Sequence, residues 1–140
     1  MHIKIKRLHP EAKLPSYAHP GDVGLDLFSL ESATLKPGQR KTFPLGFAME
    51  FDNGYGAFMK DKGSISQAGL HTLGGVFDAG YRGEYNVALV NLGQEPVHLE
   101  KGQKIAQLVI FPVVIADFVE TDELSQSARG DGKFGSTGKF

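Results

Sequence analysis

Residues 74–91 read GGVFDAGYRGEYNVALVN, and the second half of this stretch decides how the rest of the chain is read. From Tyr85 to Leu92 both faces of an extended chain are apolar, with Tyr85, Val87 and Leu89 on one and Ala88, Val90 and Leu92 on the other. A strand of that kind is covered on both sides, so it belongs inside a sheet with layers around it.

Working outward, β-type runs recur on either side. HIKIKRL (2–8) alternates cleanly, and YGAFMK (55–60), VHLE (97–100) and KIAQLVIFPVVIADFVE (104–120) follow the same habit. Pro112 interrupts the last run and marks a bulge, an edge or a break between two strands. Eighteen glycines and seven prolines cut the chain into short pieces. Helical stretches are confined to DKGSISQAG (61–69) and DELSQSA (122–128). Many brief strands with frequent turn signals predict an all-β domain, a sandwich or barrel.

The chain has 140 residues, which suits one domain with a real core. Hydrophobic residues at 41% and charged residues at 22% are globular values. A formal net charge of −1 gives no global pull toward nucleic acid or acidic membranes, so any anion site must be local and no stable nucleic-acid partner is expected. The absence of cysteine excludes disulfides, thiolate metal sites and a cysteine nucleophile. The opening MHIKIKRLHPEAKLP has no signal-peptide core and no run reaches membrane-spanning length, so a cytoplasmic protein without a membrane partner is expected. The five histidines show no ligand spacing.

Composition shifts near Ser125, dividing a β domain (1–124) from an appended arm (125–140) that ends RGDGKFGSTGKF. The RGD tripeptide (129–131) is a cell-adhesion sequence that also arises by chance, and nothing else in the chain is extracellular in character. FGSTGK has the flavour of a phosphate-binding P-loop, but Lys133 stands where its first glycine belongs and Phe140 follows the lysine, with no helix to come. A third reading has the arm fold over a ligand. Its glycines let backbone amides approach phosphate oxygens, Arg129 offers a two-pronged contact and Phe134 a flat apolar face.

Five stretches taken together resemble, in order, the five motifs of the trimeric dUTPase family. They are HPGDVGLDLFS (19–29), DKGSISQAG (61–69), GGVFDAGYRGEYNVALVN (74–91), KGQKIAQLVI (101–110) and RGDGKFGSTG (129–138). The resemblance implies an all-β jelly roll that assembles as a homotrimer with shared active sites, and hydrolysis of dUTP to dUMP and pyrophosphate. It implies that the arm of one chain closes over a site formed by the others, with Phe134 on the uracil and Arg129, Gly135, Ser136 and Thr137 on the triphosphate. Closure of a mobile arm excludes water from the reaction.

By the same resemblance Asp78 is the carboxylate that activates water. Its place beside an apolar strand leads us to expect partial burial, which raises a carboxyl pKa toward that of a useful base. Tyr81 would pack under the deoxyribose and leave no room for a 2′-hydroxyl. Asp26 would organise the phosphate side, while Asp22 reads equally as a turn residue. Gln107, an amide in an apolar strand, needs a partner; the phosphates or the hydrated ion would supply one, and so would a structural hydrogen bond. Mg²⁺ is implied as the cofactor, held by the phosphates and its own waters, which suits a cation that dehydrates reluctantly.

The chain departs from the family pattern in three places. Motif two carries Lys62-Gly63-Ser64 where an arginine and a serine are common, so a point charge replaces a planar fork. Thr72 stands six residues before Asp78, where many members have asparagine, so base recognition would lean on backbone groups of the hairpin that includes Gly75. His71 lies next to that expected base pocket. Lys133 replaces a glycine. Two other functions remain on the same fold: a non-catalytic nucleotide sensor, and the related dCTP deaminase, whose catalytic glutamate would fall at Ala88.

Overall fold

The computed structural model describes residues 1–133, 137 and 138; Phe134, Gly135 and Ser136 of the arm lie outside the described residues. Among the described residues, eleven strands and one short helix follow in order. They are β1 (Lys4–Arg7), β2 (Leu25–Phe28), β3 (Ala33–Leu35), β4 (Arg40–Pro44), β5 (Phe47–Glu50), β6 (Tyr55–Lys60), α1 (Gly63–Gln67), β7 (Leu70–Leu73), β8 (Val76–Asp78), β9 (Asn86–Asn91), β10 (Val97–Leu99) and β11 (Lys104–Pro112). The class is the all-β jelly roll expected, with a four-stranded sheet β2-β11-β6-β8, a three-stranded sheet β4-β9-β7 and the pairs β1-β5 and β10-β3. Every paired ladder is antiparallel.

The strand that opened the reading is central, with β4 on one side and β7 on the other. Tyr85, Val87 and Leu89 are wholly buried on its inner face, whereas Ala88 and Val90 are half covered and Leu92 has left the strand and is exposed. Asn91 ends the inward row. Its amide donates to the Leu35 and Glu95 carbonyls at 2.9 and 2.8 Å and accepts the Gly93 N–H at 2.8 Å, so a fully buried polar group has every partner it needs. The core around β9 gathers Leu27, Phe43, Leu45, Phe47, Leu99, Ile105 and Leu108.

Six strands escaped the reading of apolar runs: β2, β3, β4, β5, β7 and β8 have only three to five residues each. Their pairing is non-local and cannot show in a short window. The helix at 61–69 is present as the single turn α1, anchored by buried Ile65. The expected helix at 122–128 is absent. Leu124, its one large apolar residue, is 88% exposed, so no apolar face holds the segment to the body. Pro112 is the last residue of β11, paired with Tyr55. Beyond it the run leaves the sheet, and Val114, Ile115, Phe118 and Val119 stand exposed.

Candidate active site

β11 lies between β2 and β6, and this neighbourhood assembles the first candidate cluster. Across the ladders Gln107 faces Asp26 on one side and Lys60 on the other. A bulge at the start of β11, between Lys104 and Ala106, shifts the register against β2. Asp26 is buried, with Lys62 Nζ 2.7 Å from its Oδ1 and Lys104 Nζ 2.6 Å from its Oδ2. Burial pushes the Asp26 carboxyl up, but the two lysines outweigh it and hold the group below the usual carboxylate range. The trio carries one net positive charge, and two of its members, Asp26 and Lys62, line a cleft together with Asp22, Gly24 and Gln107.

Gly24 leaves that cleft open. A Cβ there would fall 2.1 Å from Gln107 Oε1, so only glycine lets the amide lie where it does. Gln107 Nε2 donates to the Asp61 carbonyl at 2.8 Å, the structural hydrogen bond named as one alternative for it. Asp22 is a turn former, its Oδ2 accepting the His19 N–H at 2.8 Å. Gly63 and Ser64 open α1 beside Lys62 and are exposed.

A second cleft adjoins the first through Gln107 and is lined by Met59, Lys60, Asp61, His71, Thr72 and Gly74. Thr72 is buried, and its N–H donates to Asp61 Oδ1 at 2.7 Å. The Gly75 carbonyl accepts the Met59 N–H at 2.7 Å. The Thr72 N–H and the Gly75 carbonyl are thus engaged within the chain, and β7 pairs with β9 and β8 with β6, so the two strands flanking the Gly74–Gly75 turn belong to different sheets.

Asp78 ends β8 and is exposed, which corrects the expectation of partial burial: β8 is an edge strand, bonded only to β6. Asp78 lines a third cleft, with Tyr55, Gly56, Phe58, Ala79, Gly80 and Ile115, that shares no lining residue with the other two. Opposite Gly56, it sits near the start of β6, whereas Gln107 faces Lys60 at the end. Four residues of strand are about 13 Å. One chain does not bring Asp78 and the lysine-lined cleft onto a single phosphorus atom.

Tyr81 lies in a loop after β8, 40% exposed, and its hydroxyl donates to the Glu84 carbonyl at 3.0 Å. Its ring packs against Phe77 and Tyr85, with centroids 5.8 Å away in both cases. It presents one face to solvent over an aromatic base of Phe77 and Tyr85. Arg129 lines none of these clefts; its Nε donates to Gly132 O at 3.1 Å within a local turn, and Thr137 is exposed.

Lys104 and Asp61 went unnoticed in the sequence. Lys104 had one signal, a charge at the head of the β-type run that begins at 104. Asp61 stood only as the first residue of the expected helical stretch 61–69. Among the described residues no three His, Cys, Asp or Glu converge, and buried Asp26 is already paired with two lysines. These donors suit an Mg²⁺ that arrives with phosphate and water ligands, and build no protein cage of their own.

The sequence model of the dUTPase family matches residues 10–138. A deoxyuridine 5′-triphosphate nucleotidohydrolase of Thermobifida fusca is 50% identical over 140 residues, covering 97% of this chain and 78% of that protein. The protein of the same name from Clostridium tetani is 43% identical, covering 98% and 97%. The dUTPase of Staphylococcus bacteriophage 80alpha, solved with dUPNHPP, superposes with a TM-score of 0.91 at 26% identity over 98% of each chain. No helix among the described residues is long and apolar enough to cross a membrane. With the fold, the motif order and these likenesses in agreement, the chain belongs to the dUTPase family.

Proposed function

We propose that this protein hydrolyses dUTP to dUMP and pyrophosphate, in a homotrimer whose sites draw on more than one chain. The observation that carries the reading is the separation along β6. Asp78 is an open carboxylate at one end and the Asp26–Lys62–Gln107 cleft opens at the other, each half of a site. The exposed apolar stretch Val114, Ile115, Phe118 and Val119 supports association, because monomers seldom leave so much apolar chain in water.

In the reaction, water attacks the α-phosphorus in line with the leaving pyrophosphate. Asp78 of one chain takes the proton as the new P–O bond forms and the bond to the bridging oxygen breaks. Lys62 and Lys104 set a positive potential over the cleft where phosphate oxygens lie, while Asp26 holds both ammonium groups in place. Tyr81 offers its braced ring to the deoxyribose. The arm closes the site, with Arg129 and Thr137 reaching the phosphates; the contacts expected of Phe134 with the uracil and of Gly135 and Ser136 with the triphosphate fall outside the described residues. Mg²⁺ arriving with the triphosphate would supply charge neutralisation beside Asp26, Lys62 and Gln107.

The sensor and deaminase readings have no feature in their favour. Asp78 and Tyr81 are present, and the position a deaminase would need for glutamate is Ala88, half covered in the middle of β9. The test is to supply Mg²⁺ with dUTP, dCTP, dTTP or UTP in parallel and follow pyrophosphate, with light scattering for assembly. Release from dUTP alone by a trimer is the expected outcome. No turnover of any substrate sinks the enzymatic reading, and a monomer that turns over dUTP sinks the shared site.

A further inference from the structure

Gly83 has no side chain, and Tyr81 occupies the place where one would be. A Cβ on Gly83 would lie 2.5 Å from Tyr81 Cζ and 2.9 Å from Cε2, and closer still to Oη. The phenol therefore rests directly against the backbone of its own loop. Its hydroxyl is tied down beside that point by the bond to the Glu84 carbonyl. The body of the ring leans on Phe77 and on fully buried Tyr85, with planes tilted by 49° and 54°. A side chain that is partly open to solvent is thus held at its body by two rings and at its tip by backbone.

The loop beneath the ring is fixed in turn. The Asp78 carbonyl accepts the Tyr81 N–H at 3.0 Å, so the carboxylate end of β8 and the ring belong to one turn of one chain. Arg82 Nη1 donates back to the Ala79 and Tyr81 carbonyls at 2.5 and 3.0 Å. At the far end, residues 84 and 85 are clamped to the turn between β4 and β5. Glu84 Oε1 accepts the Gly46 N–H at 2.8 Å, the Tyr85 N–H donates to the Phe47 carbonyl at 2.9 Å, and the Leu45 N–H donates to the Tyr85 carbonyl at 3.1 Å.

We propose that Gly83 and Glu84 set the sugar selectivity of the reaction: the bare backbone at Gly83 seats the Tyr81 ring, and the Glu84–Gly46 bond fixes that seat, so that a nucleotide with a 2′-hydroxyl is rejected. The proposal rests on the hydrolytic reading above, in which Tyr81 faces the deoxyribose. Both are positioning residues, because they act on the sugar through the ring. An apolar wall by itself rejects an added hydroxyl only about 10²-fold. Stronger rejection needs a wall that does not recoil, since a small shift of the ring opens the volume one oxygen requires. The seat supplies that stiffness. The ring cannot sink, because the Gly83 backbone is already under its tip, and it cannot swing without losing the Glu84 carbonyl and both aromatic neighbours. A methyl at position 83 would push the tip out of its seat and break the tether, leaving a ring that yields to a 2′-hydroxyl.

The experiment supplies the full-length protein and Mg²⁺ with dUTP or UTP, well below each melting temperature, and reads the ratio of the two kcat/KM values. Wild type is compared with Gly83→Ala, Glu84→Ala, Glu84→Gln, Tyr81→Ala and the double variant Tyr81→Ala/Gly83→Ala. Gly83 does not have a positive φ, so alanine takes its backbone without strain, and the three atoms nearest the new methyl all belong to Tyr81. Gly83→Ala is expected to lower the dUTP-to-UTP ratio at least about tenfold, through a gain with UTP. A merely structural change lowers both substrates alike and leaves the ratio where it was. Adding Gly83→Ala to Tyr81→Ala is expected to change the ratio less than about twofold, because the ring through which it acts is gone. Glu84→Ala is expected to lower the ratio about threefold or more. Glu84→Gln, whose side-chain carbonyl still accepts the Gly46 N–H, is expected to restore it to within about twofold of wild type. Folded Gly83→Ala with a ratio within about twofold of wild type overturns the proposal, as does an equal fall with and without the Tyr81 ring. If Gly83→Ala does not fold, a Glu84→Ala ratio within about twofold of wild type overturns it. Wild type that hydrolyses dUTP and UTP alike leaves the hydrolytic reading standing and overturns this inference alone; wild type without dUTP turnover sinks both.

Discussion

Lys104 Nζ lies 2.6 Å from Asp26 Oδ2, joining the bulged start of β11 to the middle of β2. Together with Lys62 on Oδ1 it leaves a buried carboxylate ionised between two half-exposed cations. Because the folded pKa is depressed, the stability it contributes is present above the unfolded value of about 3.9 and is lost as pH falls through the folded value. Asp26→Asn should cost about 1–3 kcal/mol at pH 7 in urea unfolding, and should flatten the loss of stability below pH ~4. An acid limb identical in both proteins would remove Asp26 from the account.

Asp78→Asn should abolish pyrophosphate release, a fall of at least about 10³-fold, while unfolding free energy stays within about 0.5 kcal/mol. The second half follows from exposure: the side chain sits at the end of an edge strand and supports nothing beneath it. A large drop in stability would mean that this carboxylate supports the fold.

Gly24→Ala separates packing from chemistry. The new methyl meets the far end of a flexible glutamine, so the amide swings away at little cost in stability, about 1 kcal/mol or less. Turnover should nevertheless fall about tenfold or more, because Gln107 leaves both the Asp61 carbonyl and the cleft. Equal kcat in the two proteins would free Gln107 from any role.

Tyr85 is fully buried, stacked on Phe77 at 4.2 Å, and its hydroxyl has no partner among the described residues. Burial pushes its pKa up to about 12. Deleting an unpaired buried hydroxyl while keeping the ring removes a desolvation cost, so Tyr85→Phe should be neutral or stabilising by about 1 kcal/mol. Melting temperatures decide it. A destabilised variant would mean that the hydroxyl finds a partner in solution.

Because Arg129, Gly130, Asp131, Lys133, Thr137 and Gly138 are exposed, removal of residues 129–140 should leave melting of the body unchanged within error, and under the proposed closure of the site by the arm it should reduce kcat/KM for dUTP by at least about 100-fold. Unchanged kinetics would refute a catalytic role for the arm.

Much of this protein was legible from residues alone. The apolar row of residues 85–92 determined a buried strand and hence the layered β class, because alternation and burial are local properties of side chains. The ordered motifs determined the family, since each residue type is tied to the chemistry it performs. Pairing was not legible: β7 and β8 look like a hairpin in sequence, yet they join different sheets, because strand partners are chosen by long-range packing. Nor did sequence reveal that Asp26 holds two lysines, that Thr72 and Gly75 are bonded internally, or that Asp61 joins Thr72 to Gln107. Those contacts span 11 to 46 residues of chain for Asp61 alone. Only the tertiary structure separates Asp78 from the lysine-lined cleft along β6, because a sheet sets distance by register and not by order in the chain.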